Sequence, residues 1–300
     1  MSVITSLQNP RVKDAVRLRN RRHREKQGRI LIDGARELRR AIAAGVKLLE
    51  VFVCEPLCRG DDARHLLASW GGSSTIGGWG GSSTATPTMA GLPQGGEVWH
   101  VGETVFERLA FGQRAEGVLA VAEMPRPTLA TLNWGGSSTA TPTENLTAPL
   151  VAVLEGVEKP GNVGAVLRSA DAAGVSAVIV ADGRTDLFNP NAIRASLGTI
   201  FTMPVCEAAS GDVLARLREK RFQIIAARVD GSVGYTKVDY RRPTAVVLGG
   251  EAAGLSPIWS GDDIVAVQLP MRGAADSLNV SVTAAVLFYE ALRQREDGSL

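Results

Sequence analysis

LVAVLEGVEKPGNVGAVLR, Leu150 to Arg168, is the stretch that decides the fold. Leu150 to Leu154 is a continuous apolar strand, and the run from Asn162 to Ala173 reads as a helix. A strand that is apolar on both faces belongs in a parallel sheet covered by helices above and below. The alternation continues downstream, with strands at Ala177 to Val180, Phe222 to Ala227, Thr244 to Leu248 and Val265 to Leu269. Helices are expected at Pro190 to Leu197, Val213 to Lys220 and Val280 to Arg295. Residues 149–297 are therefore read as an α/β domain built on a mostly parallel sheet.

Polar residues and glycines of this half gather in three places, each just after a strand, where open α/β sheets bind ligands. The first is Glu155 to Arg168, with Asn162 near a helix start and Arg168 six residues on, not quite two turns away. The second, Leu248 to Ser256, is a glycine-rich turn with one carboxylate, Glu251, inside it. The third, Leu269 to Ser281, is a loop running into the last helix and carries Met271, Ser277 and Asn279. One glycine turn alone is ordinary chain reversal, whereas three on one sheet point to a site. The Gly-x-Gly-x-x-Gly dinucleotide spacing is missing and no P-loop occurs. His23, His65 and His100 all fall outside this half, which argues against a His-based nucleophile there.

The charge distribution separates the two halves. Residues 1–47 hold thirteen Lys or Arg against four acids, in a chain whose net charge is only +2. Arg17, Arg19, Arg21, Arg22, Arg24 and Lys26 recur too densely to be partnered within their own segment. Such a cluster suits RNA, gaining affinity from counterion release, with a solvated helix face as the alternative. Residues 1–125 read as a smaller α/β domain. Its expected helices start at Asn9-Pro10 and span Ala35 to Ala44, Asp62 to Ser69 and Glu103 to Leu109. Its expected strands are Arg29 to Asp33, Leu48 to Cys54, Glu97 to Val101 and Gly117 to Glu123.

Trp79 to Thr88 recurs letter for letter as Trp134 to Thr143, and a partial copy spans Trp70 to Thr75. These segments hold too little apolar surface to offset the cost of ordering their backbone. They are read as flexible loops without catalytic residues, an insertion at 70–96 and a lengthened linker at 126–148, the alternative being that their tryptophans dock locally or stack on a base.

Length and composition, 300 residues at 45% hydrophobic, suit two domains. No apolar run reaches the roughly 20 residues that span a bilayer, and Met1 to Asp14 lacks the apolar core of a secretory signal, so a cytoplasmic location is expected. Cys54, Cys58 and Cys206 are an odd and sparse set, which argues against a disulfide framework. Cys54 and Cys58 lack a second Cys/His pair to complete a tetrahedron, and no metal is expected.

Asn162 to Arg168, Gly249 to Ser256 and Leu269 to Ser281 resemble, in order and separation, the three successive motifs of the SpoU (TrmH-like) RNA 2′-O-ribose methyltransferases. Asn189 to Gly198, with Arg194, is similar to a further segment of that family. The likeness covers Leu150 to Arg295; residues 1–125 more weakly resemble the ribosomal-protein-like substrate-binding domain of its rRNA-modifying members. The resemblance implies a trefoil knot, an exception to the unknotted rule, and a homodimer. It implies that S-adenosylmethionine binds in the knot, against Leu248, Gly249, Glu251, Leu269, Met271, Ser277 and Leu278. It implies catalytic roles for Asn162, Arg168, Glu251, Ser277 and Asn279, with Arg194 an RNA contact supplied across the dimer. One residue departs from the family pattern: Gly250 stands where an Asn commonly precedes the glutamate.

Methyl transfer to a ribose hydroxyl needs in-line approach and removal of a weakly acidic proton. Arg168 is expected to orient the acceptor nucleotide and assist proton loss together with an RNA phosphate, since an arginine is ordinarily locked as a cation. The N-terminal domain favours rRNA over tRNA as substrate. A tRNA methyltransferase, a non-catalytic RNA-binding or assembly protein and a small-molecule methyltransferase are the competing readings.

Overall fold

Asn9 accepts a hydrogen bond from the Arg11 N–H and Pro10 fills the first turn, so α1 (Pro10–Arg17) begins where a cap and a proline both favour it. The computed structural model describes residues 3–70, 97–111, 115–134 and 148–297. The expectation of flexible repeats falls on residues 71–96 and 135–147, outside those described. The chain divides into two compact units, Met1–Pro125 and Arg126–Leu300.

In the first unit α1 is followed by α2 (Arg21–Gln27), β1 (Arg29–Asp33), α3 (Ala35–Ala43), β2 (Leu48–Val53), α4 (Asp61–Ser69), β3 (Glu97–His100), α5 (Glu103–Leu109) and β4 (Val118–Glu123). The strands form a mixed sheet in the order β1-β4-β2-β3, with β2 and β3 parallel and the other pairs antiparallel. Val12, Ala15 and Leu18 pack with Phe106, Phe52 and Leu31 in one core. The charged run is itself helical: Asn20 caps α2 and Gly28 ends it in the left-handed conformation, φ 63°.

The second unit runs β5 (Leu150–Glu155), α6 (Pro160–Ala172), β6 (Ala177–Ala181), α7 (Pro190–Ala195), α8 (Thr199–Thr202), β7 (Val205–Ala208), α9 (Ser210–Glu219), β8 (Gln223–Ala227), β9 (Val233–Gly234), β10 (Thr244–Gly249), β11 (Ile264–Gln268) and α10 (Val280–Asp297). Its sheet has the order β7-β6-β5-β10-β8-β11-β9 and every pairing is parallel. β5 and β6 are buried throughout, as their unbroken apolar letters require. α10 packs on α6 and β10. Arg295 pins the far end of α10 by donating to the carbonyls of Tyr240 at 2.9 Å and Ala148 at 2.5 Å. Among the described residues no helix is long and apolar enough to cross a membrane.

The linker expectation needs correction at its edge. Trp134, first residue of the second repeat, is 8% exposed and packs in the core of the second unit with Leu132, its ring 5.7 Å from that of Phe222. Trp70, first residue of the partial copy, is likewise buried. An indole carries enough apolar area to dock its own residue even where the Gly and Ser that follow carry none.

Candidate active site

Because every strand of the large sheet runs the same way, the turns after β5, β6, β8, β10 and β11 emerge along one edge. A cleft of about 1030 Å³ opens there, lined by the turns after β8, β10 and β11 and by the start of α10. Leu248, Gly249, Glu251, Leu269, Met271, Ser277, Leu278 and Asn279 all line it. Gly249 is dictated by crowding: a Cβ there would land on the Gly254 backbone, across a turn that the Gly254 N–H closes onto the Gly250 carbonyl at 3.1 Å. Gly250, the departure from the family pattern, lies so close to Gly156 that a Cβ would come 2.6 Å from its carbonyl oxygen. In this chain the turn sits lower on the β5 end than an asparagine would allow.

Asn162 joins the three loops. It stands in the first turn of α6, where Lys159 is the cap residue, so its amide is free to reach outward. Its Nδ2 donates to Glu251 Oε1, and its Oδ1 accepts from Asn279 Nδ2 at 3.3 Å. Asn279 in turn caps α10, its Oδ1 accepting from the Ser281 N–H at 2.9 Å and the Ser281 hydroxyl at 2.7 Å. Residues 89 and 117 positions apart in sequence thus form one polar chain at the mouth of the cleft.

Arg168 and Arg194 are not brought into that chain. Arg168 is exposed and makes no hydrogen bond or ion pair among the described residues, and neither arginine lines the cleft. Six residues along a helix is a rise of about 9 Å and most of two turns, which carries Arg168 off the face that bears Asn162. Arg194, half-buried, lies on α7.

One lining segment escaped the sequence reading: Arg228, Val229 and Asp230, just after β8. Val229 is 72% exposed, while Arg228 grips Asp230 through two bonds of 2.8 Å and donates to the Ser260 hydroxyl at 2.7 Å. That grip holds the Asp230 carboxyl below its ordinary value. A fourth polar strand-end loop closing on a glycine, Gly231, was the available signal.

In the first unit the six expected RNA contacts separate. Arg24 is corrected to a structural residue: it is 1% exposed and donates to the Leu18 carbonyl at 2.6 Å, closing the α1–α2 corner. Arg19 donates to the carbonyls of Arg108, Leu109 and Ala110 at the end of α5, and burial lowers its pKa. Arg21 pairs with Glu25 at 2.6 Å. Arg17, Arg22 and Lys26 are exposed with no partner among the described residues.

The cleft suits S-adenosylmethionine. Leu248, Leu255, Leu269 and Leu278 supply apolar wall for a purine, the bare glycine backbone permits close approach, and Glu251, Ser277 and Asn279 supply polar ends.

The SpoU rRNA Methylase family model matches residues 149–289 and that of an MRM3-like substrate binding domain residues 9–120. A crystal structure of an RNA 2′-O ribose methyltransferase is 36% identical with a TM-score of 0.77, covering 98% of this chain and 100% of the other. An AdoMet-bound rRNA methyltransferase from Sinorhizobium meliloti is 26% identical with a TM-score of 0.74, covering 97% of both chains. A 23S rRNA (uridine(2479)-2′-O)-methyltransferase of Streptomyces viridochromogenes is 35% identical over 46% of this chain, and the match spans 50% of that relative.

Proposed function

The chain belongs to the SpoU rRNA methylase family, and on that footing we propose that it transfers the methyl group of S-adenosylmethionine to a ribose 2′-hydroxyl of RNA, ribosomal RNA foremost. The observation that carries this reading is Asn162 bonded at once to Glu251 and Asn279 beside the cleft. S-adenosylmethionine supplies an activated methyl group; the chain must hold it, align the acceptor and let a proton leave. Gly249, Leu269, Met271 and Leu278 hold the donor, and Glu251, Ser277 and Asn279 fix its polar end. Arg168 and Arg194 serve the acceptor side. The solvent-facing guanidinium of Arg168 is suited to hold an RNA phosphate and to offset the charge that develops as the hydroxyl loses its proton.

Residues 1–125 select the RNA, with Arg17, Arg22 and Lys26 as the phosphate contacts. The protein works in the cytoplasm as a homodimer in which Arg194 serves the partner's site. Val282 and Tyr289 support the dimer: they are 48% and 51% exposed and seven residues apart, hence on one face of α10. The trefoil knot belongs to the same reading, supported by a strand order in which β10 enters between β5 and β8 after both are laid down.

The test is transfer of labelled methyl from S-adenosylmethionine to rRNA, with the modified ribose mapped. Arg168→Ala is expected to keep donor affinity and to lose on the order of 10²-fold or more in transfer rate. Near-parental transfer by that variant would remove Arg168 from the mechanism, and failure of the parent to bind the donor would remove the function.

A further inference from the structure

Glu155 ends β5 with its side chain 5% exposed, and it does not line the cleft. Its Oε1 accepts from the Ser210 hydroxyl at 2.8 Å and the Ser256 hydroxyl at 2.7 Å, and its Oε2 accepts from the Ser256 N–H at 2.7 Å. Ser256 closes the glycine turn that begins at Gly249; Ser210 is the first residue of α9. A single buried carboxylate therefore ties the strand that leads into Asn162 to the far end of the turn that carries Glu251, 101 residues away. The next residue, Gly156, forms the floor against which Gly250 rests. The turn is thus held by Glu155 at its far end, Ser256, and at its near end by Gly156 beneath Gly250 and by Asn162 bonded to Glu251.

We propose that Glu155 is a positioning residue for methyl transfer: it sets the depth of the 249–256 turn, and so the shape of the donor wall, without touching donor or acceptor. This rests on the donor-binding reading above. Three donors converge on two oxygens, and two of those donors belong to Ser256, so the carboxylate controls the turn more tightly than it controls α9. The donor pattern also predicts which replacement succeeds. A glutamine can accept the Ser256 N–H on its carbonyl oxygen and donate its amide hydrogens to the two hydroxyl oxygens. Alanine leaves the Ser256 N–H and both hydroxyls facing a void.

The experiment uses the full chain, titrated with S-adenosylmethionine by calorimetry, with donor KM, kcat on rRNA and Tm measured alongside. Glu155→Ala is expected to weaken donor binding about tenfold or more, with kcat at saturating donor changed far less, and Glu155→Gln to bind within about threefold of the parent. Ser256→Ala and Ser210→Ala separate positioning from general support. The first is expected to raise donor KM several-fold; the second to lower Tm while leaving donor KM within about twofold. The proposal is overturned if Glu155→Ala binds donor like the parent, if Glu155→Gln fails as badly as alanine, or if the two serine variants shift donor KM alike. Should Glu155→Ala not fold, the contrast between the serines decides alone. A parent that binds no donor sinks the functional reading and this one with it. A parent that binds, with Ser256→Ala binding equally well, sinks only the role of Glu155.

Discussion

Asn162 shows how much one side chain does at this site. Its amide is donor to one loop and acceptor to another, a double duty that a carboxamide performs and an ionised carboxylate cannot. Asn162→Ala is expected to lower donor affinity by roughly 5- to 150-fold, the worth of two hydrogen bonds at about 0.5–1.5 kcal/mol each. Asn162→Asp is expected to be worse, because a carboxylate would face Glu251 and lose the donor that now meets it. Calorimetry with S-adenosylmethionine checks both; an aspartate variant that binds better than alanine would show that the bond to Glu251 does not hold the site. Arg24 makes the complementary point. The letter reads as one more cation in a basic run, yet the side chain closes a corner of the fold. Arg24→Ala should destabilise the protein by about 2–3 kcal/mol, the cost of leaving a buried carbonyl without its charged donor.

At the scale of elements, α6 carries Asn162 and Arg168 and packs on α7. Gly164 is where the two touch: a Cβ there would come 2.5 Å from the Ala192 carbonyl oxygen and 2.6 Å from the Ala195 Cβ. In an exposed helix Gly→Ala stabilises by about 1 kcal/mol. Here the sign should reverse, with Gly164→Ala costing about 1–3 kcal/mol of overpacking. Thermal denaturation decides, and a variant more stable than the parent would mean that α7 yields without penalty. The strands of this half were legible because they are short, apolar and spaced by helices. β7 and β9 were not, because four and two residues carry no usable period.

The whole molecule divides its charge and its chemistry between two units. If Arg17, Arg22 and Lys26 meet phosphate, replacing all three by alanine should lower rRNA affinity and reduce the slope of log affinity against log salt by about 2 to 3, with Tm unchanged. An unchanged slope would clear them of RNA contact. Both units also hold buried groups that resist ionisation. Burial pushes the Cys58 and Cys206 thiols up to about 11, and burial raises the Tyr240 phenol as well. In the unfolded chain thiols ionise near about 8.5. The folded state thus keeps protons that the unfolded state gives up, so stability is full below about pH 8.5 and falls as pH rises toward about 11. The urea midpoint is expected to drop between pH 8 and pH 10, less so in Cys206→Ala; a flat profile would mean that these thiols are open to solvent.

The α/β class, the parallel sheet, the three strand-end loops and the residue types that meet the cleft are all legible in the order of the letters. Those features rest on local periodicity and on glycines whose need is written in the turn they occupy. It takes the folded chain to bring Asn162 to Glu251 and Asn279, to put Glu155 beneath the turn ending at Ser256, and to turn Arg24 and Trp134 inward. The first two depend on β10 lying beside β5 and on α10 packing against α6, Arg24 on the α1–α2 corner and Trp134 on the core around Phe222, and such pairings come from global packing. No local pattern of letters records which distant neighbour a side chain will find.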